Sequence, residues 1–217
     1  MLQDVEQITR RRITARARFH DARILEIGCG PGRVTAMYAD ATRMTIGVEP
    51  DPGEAIRAAQ RVPDACVACA SGMALPFRDN GFDVVLFTLS LHHHPDPVAA
   101  LDEAMRVLAP RGRVLVLEPE PDGEIQRLCN IFDNEDHLLE RARSAVEQRG
   151  QGPLSRESFH THWVFEDLDD VCRYAFGYYD RPPDAARREA MRAFLGPRAH
   201  DRPLRMTDRL RLDCLAG

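Results

Sequence analysis

The sequence predicts an α/β fold: a doubly wound, mostly parallel seven-stranded sheet with helices on both faces. Two observations carry this. Between residues 23 and 118, short and nearly continuous apolar runs alternate with amphipathic stretches, the pattern of parallel strands covered on both faces. Two of those stretches open with an acid before a proline, Asp51-Pro52 and Asp96-Pro97, which places a capping carboxylate ahead of the residue best suited to a first helical turn.

The expected strands are residues 24–27, 44–48, 65–70, 82–88 and 114–117. A helix is expected near Val34, behind a glycine-rich turn. After Asp96, the residues Val98, Leu101, Met105 and Leu108 recur at helical spacing, and Pro110-Arg111-Gly112 is expected to close that helix. Repeated strand–helix units of this kind build a doubly wound sheet. From Glu118 a turn-rich joint leads into one long helical pattern, its stripe formed by Ile125, Leu128, Phe132, Leu139, Ala142 and Val146, broken at 150–153. A strand at 162–166, helices at 168–176 and 185–195, and a last strand near 206–212 follow. The expected organisation is one domain, with a helical arm at 1–22, a ligand-binding core at 23–118, a helical insertion or lid at 119–160, and the end of the sheet at 161–217.

Bulk properties exclude several functions. The 217 residues carry a formal net charge of −5, so no global basic field attracts nucleic acid. The arginines near the start, Arg10–Arg12 with Arg16 and Arg18, read as a solvated helical face. All 29 basic residues are arginine, which removes a phosphate-binding P-loop lysine and any Schiff-base mechanism. No run approaches the ~20 apolar residues of a membrane span, and residues 1–20 lack the layout of a secretory signal, so a cytoplasmic location is expected. Six cysteines do not make a disulfide framework at this size. Cys66 and Cys69 fall on one expected strand, three apart and so on opposite faces, and are expected to be buried, reduced thiols.

The central feature is Ile24-Leu25-Glu26-Ile27-Gly28-Cys29-Gly30-Pro31-Gly32-Arg33, a buried strand running into a glycine turn. Its G-x-G-x-G spacing differs from the G-x-G-x-x-G that seats a pyrophosphate, since Arg33 stands where the third dinucleotide glycine would be. Glu26 ahead of the turn matches a cationic ligand better than a pyrophosphate, and an amino acid with a sulfonium centre fits. The next strand ends in Glu49, placed to accept hydrogen bonds from both hydroxyls of a ribose; this acid alone would suit a nicotinamide dinucleotide equally well.

The segments 25–32, 47–50, 74–77, 82–97 and 108–119 together resemble the class I methyltransferases, in particular the small-molecule branch that includes the ubiquinone and menaquinone C-methyltransferases. The resemblance implies a Rossmann-like fold and S-adenosyl-L-methionine as cofactor, with S-adenosyl-L-homocysteine as product. It implies that the loop residues Glu26, Gly28, Cys29, Gly30 and Gly32 hold the methionine portion and that Glu49, with Pro50, holds the ribose. By the same resemblance Ser71, Gly72 and Met73 flank the adenine and Thr88 lines the pocket. The family usually has an aspartate where Ser71 stands; a serine hydroxyl accepts the adenine amino group without charge assistance.

Methyl transfer from a sulfonium is an in-line displacement in which orientation supplies much of the rate. A base is needed only where the acceptor carries a proton. His92, His93 and His94 follow the fourth strand of the core, and His93 is the expected catalytic base; adjacent histidines alone lack the convergent ligands of a metal site, and none is expected. The cluster Cys129, Asp133, Glu135, Asp136 and His137 reads as a solvated helical face that would meet the acceptor if its helix closes as a lid. No N-P-P-Y or D-P-P-Y motif follows the fourth strand, which reads Thr88-Leu89-Ser90-Leu91, so a small-molecule acceptor is expected. The alternatives are an adenosyl-binding protein without turnover and, disfavoured by the glycine spacing, a nicotinamide oxidoreductase.

Overall fold

The computed structural model describes residues 1–149 and 153–216. Its strands are β1 (Leu2–Gln3), β2 (Arg23–Ile27), β3 (Met44–Glu49), β4 (Ala65–Cys69), β5 (Phe82–Thr88), β6 (Leu108–Pro119), β7 (Ser155–Phe165) and β8 (Leu204–Ala216). Its α-helices are α1 (Ile8–Thr14), α2 (Pro52–Arg61), α3 (Pro97–Val107), α4 (Glu124–Cys129), α5 (Asp136–Gln148), α6 (Leu168–Tyr178) and α7 (Ala185–Leu195). The strands join in the order β1-β7-β8-β6-β5-β2-β3-β4. Eight strands replace the expected seven; the two-residue β1, paired antiparallel to β7, lies in what the sequence suggests is a helical arm.

Two compact units form. One comprises Arg10–Glu118, Leu138–Glu157 and the chain from Arg211 onward; the other comprises Met1–Thr9, Pro119–His137 and Ser158–Leu210. The first holds the parallel ladder β6-β5-β2-β3-β4. Ile24, Leu25 and Ile27 of β2 and Val85, Leu86 and Phe87 of β5 are fully buried, as strands covered on both faces must be. Both proline-led helices form where the acids predict them. Asp51 accepts the Glu54 amide at 2.8 Å, and Asp96 accepts those of Val98 and Ala99 at 3.0 Å. The chain leaves β2 for β3 and β4 on one side and returns to β5 on the other, so β2 and β5 flank a topological switch point, where open α/β sheets bind ligands.

Several local expectations are corrected. No α-helix follows the glycine turn; two 3-10 turns, Thr35–Met37 and Ala39–Ala41, stand there instead. Residues three apart eclipse one another in 3-10 geometry, and this brings Thr35 and Tyr38 to the same buried carboxylate, that of Glu26. Pro110-Arg111-Gly112 interrupts a strand rather than preceding one: pairing begins at Leu108 opposite Phe82, with a register shift before Val84 and Arg113 pair. Cys66 and Cys69 are free thiols but exposed, because β4 is the edge of the sheet. The long post-118 helix is two helices, α4 and α5, separated by residues 130–135. Of the expected break at 150–153, residues 150–152 lie outside the described residues.

In the second unit, Ile125 and Leu128 of α4 join Phe165, Val171 and Met191 in an apolar core supplied by β7, α6 and α7. Phe132 stacks on Tyr179, centroids 5.0 Å apart, and the Arg187 guanidinium lies over the Phe132 ring, 5.5 Å from its centre.

Candidate functional site

The glycine turn leaves β2 at the switch point. Gly28 and Cys29 both donate their amides to the Val48 carbonyl, at 2.7 and 3.1 Å, which pins the turn to the end of β3. Gly28 and Gly30 adopt positive φ, +71° and +52°, a region that L side chains rarely enter. Their surroundings differ. A Cβ on Gly28 would stand 2.6 Å from the Ser90 Cβ, whereas a Cβ on Gly30 would meet nothing within 4 Å. Gly28 is glycine for packing; Gly30 presents open backbone to whatever approaches the turn.

Glu49, 8% exposed, joins that open face to the next strand. One carboxylate oxygen accepts the Gly30 amide at 2.9 Å and the other accepts the Asp51 amide at 3.0 Å. A carboxylate offers about four lone-pair positions, so each oxygen keeps capacity for a further donor. An open loop backbone beside a partly engaged carboxylate fits a ligand with a vicinal diol and an amino acid moiety.

Glu26, which the sequence sets beside a cationic ligand, is fully buried. It accepts the hydroxyls of Thr35 at 2.6 Å, Tyr38 at 2.5 Å and Thr88. Burial raises its pKa above the ordinary carboxylate value, against the opposing pull of the three hydroxyl bonds. The same burial, with the Glu26 charge, pushes the Tyr38 phenol well upward and keeps it protonated. Glu26 therefore ties β2, the 3-10 turns and the end of β5 together. Thr88, the expected pocket residue, spends its hydroxyl on that tie.

Cys29 is buried, and burial with the charges of Glu26 and Glu49 pushes its thiol up to about 12. Brief treatment of the native protein with iodoacetamide at pH 7.5 is expected to alkylate the exposed Cys66 and Cys69 and to leave Cys29 unlabelled until denaturant is added. Peptide mass mapping reads the order; Cys29 labelling as fast as Cys66 would contradict it.

Ser71 is exposed and accepts the Met73 amide at 3.2 Å, forming a local turn; Pro50 is exposed and Met73 half-buried. Gly72 is buried, and a Cβ there would stand 2.3 Å from His94 Nε2 and 2.5 Å from Ile27 Cγ2. His94, which the sequence does not single out from its neighbours, thus lies against both Gly72 and the turn. It bonds through Nδ1 to the Ser90 carbonyl at 2.9 Å and meets the Phe87 ring edge-on. Burial lowers its pKa.

The three histidines do different things. His93 is exposed, its ring 3.9 Å from that of His92, and desolvation together with the His92 charge pushes its pKa down to about 4. His92 is 4% exposed, and Glu118, 1% exposed at the end of β6, holds it twice. His92 Nδ1 lies 2.5 Å from Glu118 Oε2, and the His92 amide donates to Oε1 at 3.1 Å. This pair escapes sequence reading, where Glu118 passes for the start of a turn.

Comparison with known proteins follows the same ground. Residues 25–116 match the family described as "Methyltransferase domain". An uncharacterized methyltransferase of Mycobacteroides abscessus is 39% identical over 98 residues, 43% of this chain and 38% of that protein. One from Mycobacterium avium is 44% identical over 92 residues, 41% of this chain and 36% of that protein. The matched part thus spans little more than a third of those relatives' length. Among solved structures, the YcgJ protein of Bacillus subtilis aligns over 96% of this chain and 97% of its own, with TM-score 0.64 and 18% identity. The [4+2]-cyclase SpnF aligns over 95% of this chain and 80% of its own, with TM-score 0.58 and 20% identity. At those identities the likeness is one of fold.

Proposed function

We propose that this chain, whose residues 25–116 match a methyltransferase domain, is a class I S-adenosylmethionine-dependent methyltransferase that transfers a methyl group from S-adenosylmethionine to a small-molecule acceptor. One observation carries the cofactor half: the open Gly30 backbone whose amide is held by Glu49 at a switch point of the sheet.

When bound, the cofactor supplies an electrophilic methyl group on a cationic sulfur. The chain supplies position. Gly28, Cys29, Gly30 and Gly32 would hold the methionine portion, Glu49 with Pro50 the ribose, and Ser71, Gly72 and Met73 the adenine. Glu26 and Thr88 act on the ligand by fixing the turn. For an acceptor that enters protonated, His93 is neutral at pH 7 and open to solvent, but its depressed pKa makes it a weak base. His92 is the better organised partner, because the Glu118 carboxylate fixes its ring.

Calorimetry with S-adenosylmethionine and S-adenosylhomocysteine tests the cofactor. Both are expected to bind, while NADH gives no fluorescence enhancement; failure of both adenosyl ligands to bind the folded protein overturns the reading. A second reading, adenosyl binding without methyl transfer, draws on the fold shared with a protein described as a cyclase. Radiolabelled cofactor incubated with metabolite extracts separates the two: label passes to a small product in the first case and stays on the cofactor in the second.

A further inference from the structure

The strands β2, β3 and β5 carry the glycine turn, Glu49 and Thr88 at their carboxyl ends. At their amino ends, roughly 15 Å away along five extended residues, they line an open cavity of about 580 Å³. Arg23, Met44 and Phe82, the first residues of the three strands, line it. Ile46 and Phe77 extend the apolar part, with Phe77 packed edge-on against Phe82 at 5.2 Å. Arg43 and Arg78 complete the rim.

The charges at this rim do not balance. Asp83 takes the Arg23 guanidinium through two bonds, 2.7 and 3.1 Å, and receives the Arg23 amide at 2.8 Å. That pairing holds the Asp83 carboxyl below its ordinary range, with Arg43 adding to the effect at longer reach. Among the described residues, neither Arg43 nor Arg78 has a carboxylate within ion-pairing distance. Three guanidinium groups thus face one carboxylate in a protein whose net charge is −5. A concave site of this volume, with an apolar floor and a few convergent polar groups, has the make-up of a small-molecule pocket. The planar fork of arginine suits carboxylate and phosphate oxygens.

We propose that this cavity is a second ligand site, separate from the cofactor loop, for a small organic anion: a carboxylate or phosphate head on a compact apolar body. Arg43 and Arg78 engage the head, Arg23 stays with Asp83, and the Met44–Ile46–Phe77–Phe82 floor takes the body.

Phenyl phosphate is the probe, titrated by calorimetry into the full chain with and without saturating S-adenosylhomocysteine. Binding is expected to be unchanged by the nucleoside and at least tenfold tighter than that of inorganic phosphate. The R43A/R78A variant, whose two side chains are exposed and unpaired, is expected to bind at least tenfold more weakly. A charge-matched control, R61A/R111A, is expected to bind like the parent. Sodium benzoate in place of phenyl phosphate shows whether the head is read as a carboxylate or as a phosphate. No phenyl phosphate binding, competition with S-adenosylhomocysteine, or equal loss in the control variant each overturns the proposal, as does inorganic phosphate binding as tightly as the aryl ester.

Discussion

Replacing Glu49 with alanine is expected to weaken S-adenosylhomocysteine binding by about 100- to 1,000-fold while leaving the fold intact. A hydrogen bond to a charged group contributes about 1.5–3 kcal/mol, and two ribose hydroxyls lose theirs together. At 1.4 kcal/mol per tenfold, a loss of about 3–4 kcal/mol gives that range. The variant also releases the Gly30 and Asp51 amides, which loosens the loop at its open point and adds to the loss. Both amides lie beside an open face and regain water, so the melting temperature moves little. E49Q keeps one acceptor oxygen but turns an amide N–H toward donors, so its affinity falls between the two. Calorimetry at fixed salt reads all three. Affinity within threefold of the parent in E49A would place the ribose elsewhere.

The second large effect falls on stability. Glu26→Ala strands three buried hydroxyls, those of Thr35, Tyr38 and Thr88, and leaves space among fully buried neighbours. Each unsatisfied buried polar group costs about 1–3 kcal/mol, and breaking a buried charged network by removing one partner costs about 3–5 kcal/mol. Against a total of about 5–15 kcal/mol for a domain, urea unfolding of E26A is expected to show a midpoint far below the parent's, with cofactor affinity lost as the loop detaches. E26Q separates the charge from the hydrogen bonds. Since the Glu26 pKa is raised on folding, the stability it contributes is full below its unfolded value near 4.5 and is lost as pH rises through the higher folded value. The stability of the parent relative to E26Q is therefore expected to fall as pH is raised from 4.5 toward neutrality. Other carboxylates, such as the depressed Asp83, titrate alike in both proteins and cancel. A flat or rising difference would mean that Glu26 ionises freely.

The central strands were legible because strands covered on both faces must be largely apolar, and residues 84–87 show that pattern without interruption. What the same pattern cannot reveal is position within the sheet. The run 65–70 reads as buried, yet β4 is an edge, so Cys66 and Cys69 face solvent. Helical periodicity has a similar limit. The stripe from Ile125 to Val146 continues in phase across residues 130–135, but Ile125 and Leu128 serve one apolar core and Ala142 and Val146 another. In the site, the acids at 26 and 49 were visible beside the glycines. Their partners were not, because Thr35, Tyr38 and Thr88 reach Glu26 through a 3-10 register and a neighbouring strand. The His92–Glu118 pair is closed across the ends of β5 and β6, a long-range contact without a local signature.

The contact between Gly72 and His94 also has a meaning for how this chain can vary. An imidazole occupies the place a methyl group at position 72 would need, so the two sites do not mutate independently. A lineage that keeps the histidine is confined to glycine at 72, and one that acquires alanine there must first make room at residue 94 and at Ile27 as well. The three positions vary as a set: the order in which their substitutions occur decides how crowded each intermediate is.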